Sequence, residues 1–261
     1  METRGTDQAQ TLGNEQLALL VGNVVTAVVS IATPYFLGLS ADEAKAILSS
    51  GGHKKQMVVL LAPLFANADP HAAQRAYWEK VYALHFGVET DFSGAVIPTK
   101  PTDGKWRLIG IAKGLSMNHA AAMYAKILRA HNSRWNLWKY NDDLDHTVTK
   151  NARTSGESYF IWVQGGLDPD AAYLGKSTRD ADPDGLIGET LLERLVHGAV
   201  RLVETKQHLD EKGITRCSGS RDSDGDVPYV CWDSGSRGVR VGWCVIGRAS
   251  PGRGLRQAVY A

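Results

Sequence analysis

Several familiar chemical signatures are missing from this 261-residue chain. There is no HExxH, no GxSxG and no GxGxxG, so zinc-protease, α/β-hydrolase and dinucleotide-binding readings have no starting point. Cysteine is scarce, with Cys217, Cys231 and Cys244 only. An odd number without CxxC spacing signals neither a disulfide framework nor a zinc site, and reduced thiols point to the cytoplasm. The eight histidines are scattered without metal-ligand spacing. No internal repeat or low-complexity tract occurs, and 43% hydrophobic with 22% charged residues excludes disordered and fibrous classes.

Acid is also missing from one end. After Asp233 no Asp or Glu follows, while Arg237, Arg240, Arg248, Arg253 and Arg256 remain. An arginine-rich end of this kind can meet phosphate or an acidic surface. The opposite bias lies at 168–193, where Asp168, Asp170, Asp180, Asp182, Asp184, Glu189 and Glu193 face only Lys176 and Arg179. The arginines could instead pair with that segment.

Charge is absent once more at 17–39, a run long enough to span a bilayer. Asn23, Thr26, Ser30, Thr33 and Pro34 interrupt it, no basic cluster flanks it, and Glu15, Asp42 and Glu43 stand outside it. A buried hairpin or core helix is expected, with a membrane tether as the alternative.

What is present reads as an α+β chain with three parts: a mainly helical region at 1–87, a Pro/Gly-rich linker at 88–105 and an α+β domain at 106–261. Ser40 and Glu43 form a capping-box pattern for a helix at 41–48. Asp69-Pro70 and Gly87 bracket a helix at 70–86. Strands are predicted at 106–112, 136–140 and 159–164, and Ser116 caps a helix at 117–130. The stretch between 140 and 159 reads as loop. Thr190 and Glu193 form a second capping box, opening a helix at 190–206. The expected sheet is mixed or antiparallel, ending in a hairpin and meander.

Residues 217–246, CSGSRDSDGDVPYVCWDSGSRGVRVGWCVI, organise that C-terminal sheet. Cys217 and Arg221 are too close for a thiolate phosphatase loop. Gly175-Lys176-Ser177 lacks the upstream glycine of a phosphate loop, and Pro183 disfavours the helix such a loop needs. Asp222, Asp224 and Asp226 alternate in the way that points several oxygens at one divalent cation, with His119 or His197 as further ligands or bases, but the glycine and the twelfth position miss the EF-hand spacing. Turn chemistry at Asp224-Gly225 and at 234–238 accounts for the stretch as a strand entry and a hairpin. Along the second strand Val239, Val241, Trp243 and Val245 fall on one face and Arg240 and Cys244 on the other.

Three functional expectations follow, of which a membrane-tethered protein anchored by 17–39 is the third. The first is a non-enzymatic binding module, needing no cofactor, whose Arg237, Arg240, Arg248, Arg253 and Arg256 contact nucleic acid or an acidic protein; tryptophans exposed beside them would form a stacking platform for single strands. The second is a metal-dependent hydrolase or nuclease built on Asp222, Asp224 and Asp226. The wording of CSGSRDSDGDVPYVCW, together with GETLLERLVHG, HLDEKGITR, IAKGLS and YFIWV, resembles a group of uncharacterised bacterial proteins over about residues 75–245. That resemblance implies a bacterial origin and assigns no catalytic residue.

Overall fold

The computed structural model describes residues 71–260. The expected helix at 41–48 and the run at 17–39 lie outside the described residues. Among those described, no helix is long and apolar enough to cross a membrane. The chain divides into two compact units, Met1–Gln74 and Arg75–Ala261, and the second holds the sheets.

Helix α1, Ala72–Val81, passes into a π-helical turn, Tyr82–Phe86, that Gly87 closes at a φ of 65°. Trp78, Val81, Tyr82 and Phe86 turn inward and are buried with Phe92, while Tyr77 and Leu84 are exposed. The Tyr82 hydroxyl donates to the Gly110 carbonyl at 2.9 Å, which ties this turn to the first strand. Residues 88–105 form neither helix nor strand. They do not merely connect, however, because Phe92, Ala95 and Ile97 enter the core of the second unit.

Strand β1, Trp106–Ile111, leads to helix α2, Met117–His131, whose first turn is capped where the Ser116 hydroxyl accepts from His119 N. Strand β2, Asn136–Lys139, follows. The stretch expected as loop contains a single helical turn, α3, Leu144–Thr147, and strand β3, Val148–Asn151. Thr149 and Lys150 of β3 are exposed, so an edge strand held mainly by backbone pairing leaves no apolar pattern to read. Strand β4, Tyr159–Gln164, a single turn α4, Thr178–Ala181, and the long helix α5, Leu191–Thr205, complete the middle of the chain.

Helix α5 is the centre of the fold. Thr190 and Glu193 form the anticipated capping box, and Leu191 to Val200 are buried without a break, the pattern of a helix covered on all sides. It packs on α2, on β1 and on the strand at Val227–Asp233. Gly198 permits the α2 approach, since a Cβ there would stand 2.8 Å from the Tyr124 hydroxyl.

The last strands are β5, Ile214–Arg216; β6, Ser220–Asp222; β7, Val227–Asp233; β8, Gly238–Cys244; β9, Arg253–Leu255; and β10, Ala258–Tyr260. They complete a three-stranded antiparallel sheet, β1-β4-β10, a five-stranded mixed sheet, β2-β8-β7-β5-β9, and a small β3-β6 pair. The class is α+β. The β7-β8 hairpin forms as expected, but the meander does not continue: β9 runs parallel to β5, and β10 crosses into the other sheet. Val230, Val239 and Val241 point into the core with Trp232 and Trp243 packed beside them. Val245 lies past the strand end and is exposed.

Candidate functional site

The serine-rich opening of residues 217–226 is used to build the fold. Cys217, Ser218 and Ser220 have no exposed surface. The Ser220 hydroxyl accepts from Leu191 N at 2.9 Å, satisfying a first-turn amide of α5, and donates to Asn151. Ser218 donates to Asp182 at 2.5 Å, and the same carboxylate accepts from the amides of Leu186, Ile187 and Gly188. Burial raises the Cys217 thiol well above its ordinary value, leaving no thiolate for attack.

The three aspartates that follow make a turn. Asp222 Oδ1 accepts from Asp224 N at 3.0 Å and Asp226 N at 2.8 Å, while Gly225 takes a φ of 83°. Asp222 thereby turns one oxygen inward to the backbone. His119 binds the Phe86 carbonyl at 2.8 Å, and His197 sits in the core against Glu189. Among the described residues no group of three or more His, Cys, Asp or Glu is placed to hold a metal ion. Neither histidine bonds the aspartate turn.

A polar network with no signature in the sequence runs through the interior. His197 Nδ1 lies 2.8 Å from Glu189 Oε1, and Glu189 Oε2 lies 3.8 Å from Arg256 Nε. Arg256 Nη2 donates to Asp210 Oδ1 at 2.8 Å, and Arg194 Nη2 donates to Oδ2 at 2.5 Å. Alongside it, Arg153 grips both oxygens of Glu193 at 2.6 and 2.7 Å, and Tyr159 donates to the same carboxylate. Burial pushes the Glu189 carboxyl up to about 8, outweighing Arg256 and Arg194. Burial, then Arg256 and Arg194, hold His197 well below the ordinary histidine value. Near neutral pH that contact therefore joins two uncharged groups. Burial alone would raise Glu193, yet Arg153 overrides it and holds the carboxyl below its usual range. Perturbed groups of this kind often mark active sites, but Glu189, His197, Asp210 and Arg256 are all 0% exposed. A solute cannot reach them in the folded state.

Arg256, expected on a binding surface, is instead a core residue. Its guanidinium also donates to the carbonyls of Gln164 and Gly166 at 2.8 and 2.7 Å. Of the acidic segment, Glu189 lies 3.8 Å from Arg256 Nε, but the ion pair of Arg256 is made with Asp210, outside that segment.

The remaining arginines point outward. Arg237 forms the hairpin turn at a φ of 55° and is exposed, as is Arg248 in the loop after β8. Arg240 and Arg253 lie on the outer face of the five-stranded sheet. Register places Trp138 opposite Arg240, Arg240 opposite Cys231, and Ile214 opposite Arg253. Antiparallel pairing of β5 with β7 sets Ile214 in line with Cys231. One row of side chains, Trp138, Arg240, Cys231, Ile214 and Arg253, therefore crosses all five strands.

Cations on this face are stacked on rings. Arg240 lies 5.1 Å from the Trp138 ring centroid, and Arg253 lies 5.0 Å from that of Tyr229. Tyr229 rests on Gly242, where a Cβ would come within 2.6 Å of its ring. Trp138 is open to solvent at 45% exposure, and Tyr140 stands edge-on to it at 73%. Arg240 also meets Asp233 at 3.3 Å. On one side of that pair lies a hollow of about 410 Å³ with Ile214, Cys231, Lys212 and Arg253 on its lining. On the other lies one of about 270 Å³ beside Trp138 and Asn136. Farther along the same face the surface is covered: Arg216, Val227 and Cys244 are buried, and the Arg216 guanidinium donates to the Lys176 and Arg248 carbonyls.

No protein-family model, no curated protein and no solved structure matches the chain.

Proposed function

We propose that the chain is a bacterial, cytoplasmic, non-enzymatic binding module that engages nucleic acid through the outer face of its five-stranded sheet. The row from Trp138 to Arg253 carries this reading. It brings cations and an exposed indole onto one β-surface, the combination that phosphates and bases both require. Arg237 and Arg248 extend the positive charge beyond the row. Arg256 has no part in it, because its charge is engaged inside the core by Asp210.

The metal-dependent reading draws less support. It asks Asp222 to release Asp224 N and Asp226 N before its turn-facing oxygen could ligate a cation. It would also have to recruit a histidine from the core or from the Phe86 carbonyl. The thiol reading has its cysteine sealed in the interior.

Titration of the intact chain with a labelled 20-mer oligonucleotide at 50 and 200 mM salt tests the proposal. Affinity that falls steeply with salt supports it. Absence of binding at the lower salt removes nucleic acid as the partner, and binding of an acidic polypeptide under the same conditions replaces it with a protein.

A further inference from the structure

Resting on the nucleic-acid reading of this face, we infer that the two hollows flanking the Arg240–Asp233 pair are subsites for two consecutive unpaired bases. The first observation is the partition. Both hollows are lined by Arg240 and Asp233, whose ion pair at 3.3 Å stands between them as a shared wall. A single nucleotide step in an extended strand would place a base on either side, with the intervening phosphate over the Arg240 guanidinium.

The second observation is the chemistry of each hollow. The smaller one is bounded by Trp138, a residue 45% exposed whose indole, with Arg240 beside it, offers a stacking surface to any base. The larger one has Cys231 and Ile214 beneath it, two small or apolar side chains between Arg240 and Arg253. Three strand-to-strand steps of roughly 4.8 Å set those two arginines about 14 Å apart. That span leaves room for one base on the apolar floor between the two cations. Volumes of about 410 and 270 Å³ bracket the lower end of small-ligand sites.

The third observation is the sign of the rim. Glu211 and Asp233 line the larger hollow beside Lys212, Arg240 and Arg253. A track made for phosphate alone would be repelled by two carboxylates, whereas base edges bring amino and imino donors that carboxylates accept. The mixed rim therefore belongs to a base pocket whose phosphates lie outside, on the arginines. A duplex hides those edges and its base faces, so the subsites select single strands.

The test compares a single-stranded octamer with its duplex at equal salt, for the intact chain and for Trp138→Ala and Trp138→Phe, with circular dichroism confirming that each folds. The inference predicts about ten-fold tighter binding of the single strand. It predicts loss of about five-fold or more of that affinity in Trp138→Ala, an unchanged salt slope, and recovery in Trp138→Phe. Equal affinity for single strand and duplex, or a Trp138→Ala variant that binds the single strand as the intact chain does, overturns the two subsites while leaving a salt-dependent polyanion surface standing. Failure of both nucleic acids to bind at low salt overturns the underlying reading as well.

Discussion

Arg256 and Asp210 form an ion pair with 2.8 Å between Nη2 and Oδ1, and neither side chain has any exposed surface. Arg253, three positions earlier in the chain, lies on the outer face against Tyr229. The two arginines should therefore fail differently when removed. Arg256→Ala leaves the buried Asp210 carboxylate short of a partner and is expected to cost about 3–5 kcal/mol of stability, read as a lower urea midpoint. Arg253→Ala should leave the midpoint within about 0.5 kcal/mol of the parent and weaken oligonucleotide binding. A reversed pattern would mean that the assignment of interior and surface is wrong.

The Glu189 carboxyl supplies a pH signature. Its folded value of about 8 lies above the 4.5 of an ordinary glutamate. The fold thus holds a proton that the unfolded chain gives up, and the resulting stability is complete below pH 4.5 and lost as pH rises through about 8. Urea midpoints measured from about pH 6 to 9 should fall along this limb in the intact chain, and Glu189→Gln should flatten it. A variant with the same alkaline slope as the parent would contradict the assignment.

Histidine sets the acid limb with the opposite sign. His208 is stacked on Trp232 with 3.5 Å between centroids, and burial lowers its value to about 4. His197 is held down in the same direction by burial and the neighbouring arginines. The unfolded chain takes up protons that these rings refuse, so stability present above about pH 6.5 declines as pH falls toward 4. His208→Phe should reduce that decline. Its persistence unchanged in the variant would assign the acid limb to other groups.

At the aspartate turn, Asp222→Ala removes the acceptor of Asp224 N and Asp226 N. The expected cost is about 1 kcal/mol of thermal stability. Chelator should leave the melting temperature of the parent unchanged. A calcium- or magnesium-dependent rise in melting temperature that disappears in Asp222→Ala would restore the metal site.

The sequence discloses what depends on neighbours in the chain. Thr190 and Glu193 announce the start of α5 because both partners of a capping box lie within one turn, and Ser116 does the same for α2. The β7-β8 hairpin is legible from alternation and a polar turn. What depends on distant segments is hidden. Nothing in RGLRQ tells Arg253 from Arg256, because the carbonyls of Gln164 and Gly166 and the carboxylate of Asp210 that capture Arg256 are folded together from far along the chain. The parallel pairing of β2 with β8, which puts Trp138 beside Arg240, is hidden for the same reason. An exposed Trp in a short polar strand is the one local signal for the outer face. Trp135, Trp232 and Trp243, which pack against the core, dilute it.

The most direct measurement of the central claim is the salt dependence of single-strand binding in a chain with Arg237, Arg240 and Arg253 all changed to alanine. Each phosphate neutralised on a single strand contributes roughly 0.7 to the slope of log affinity against log salt, so removing three outward cations should make that slope shallower by about 2. An unchanged slope and affinity in a folded triple variant would contradict the assignment of this sheet face as the binding surface.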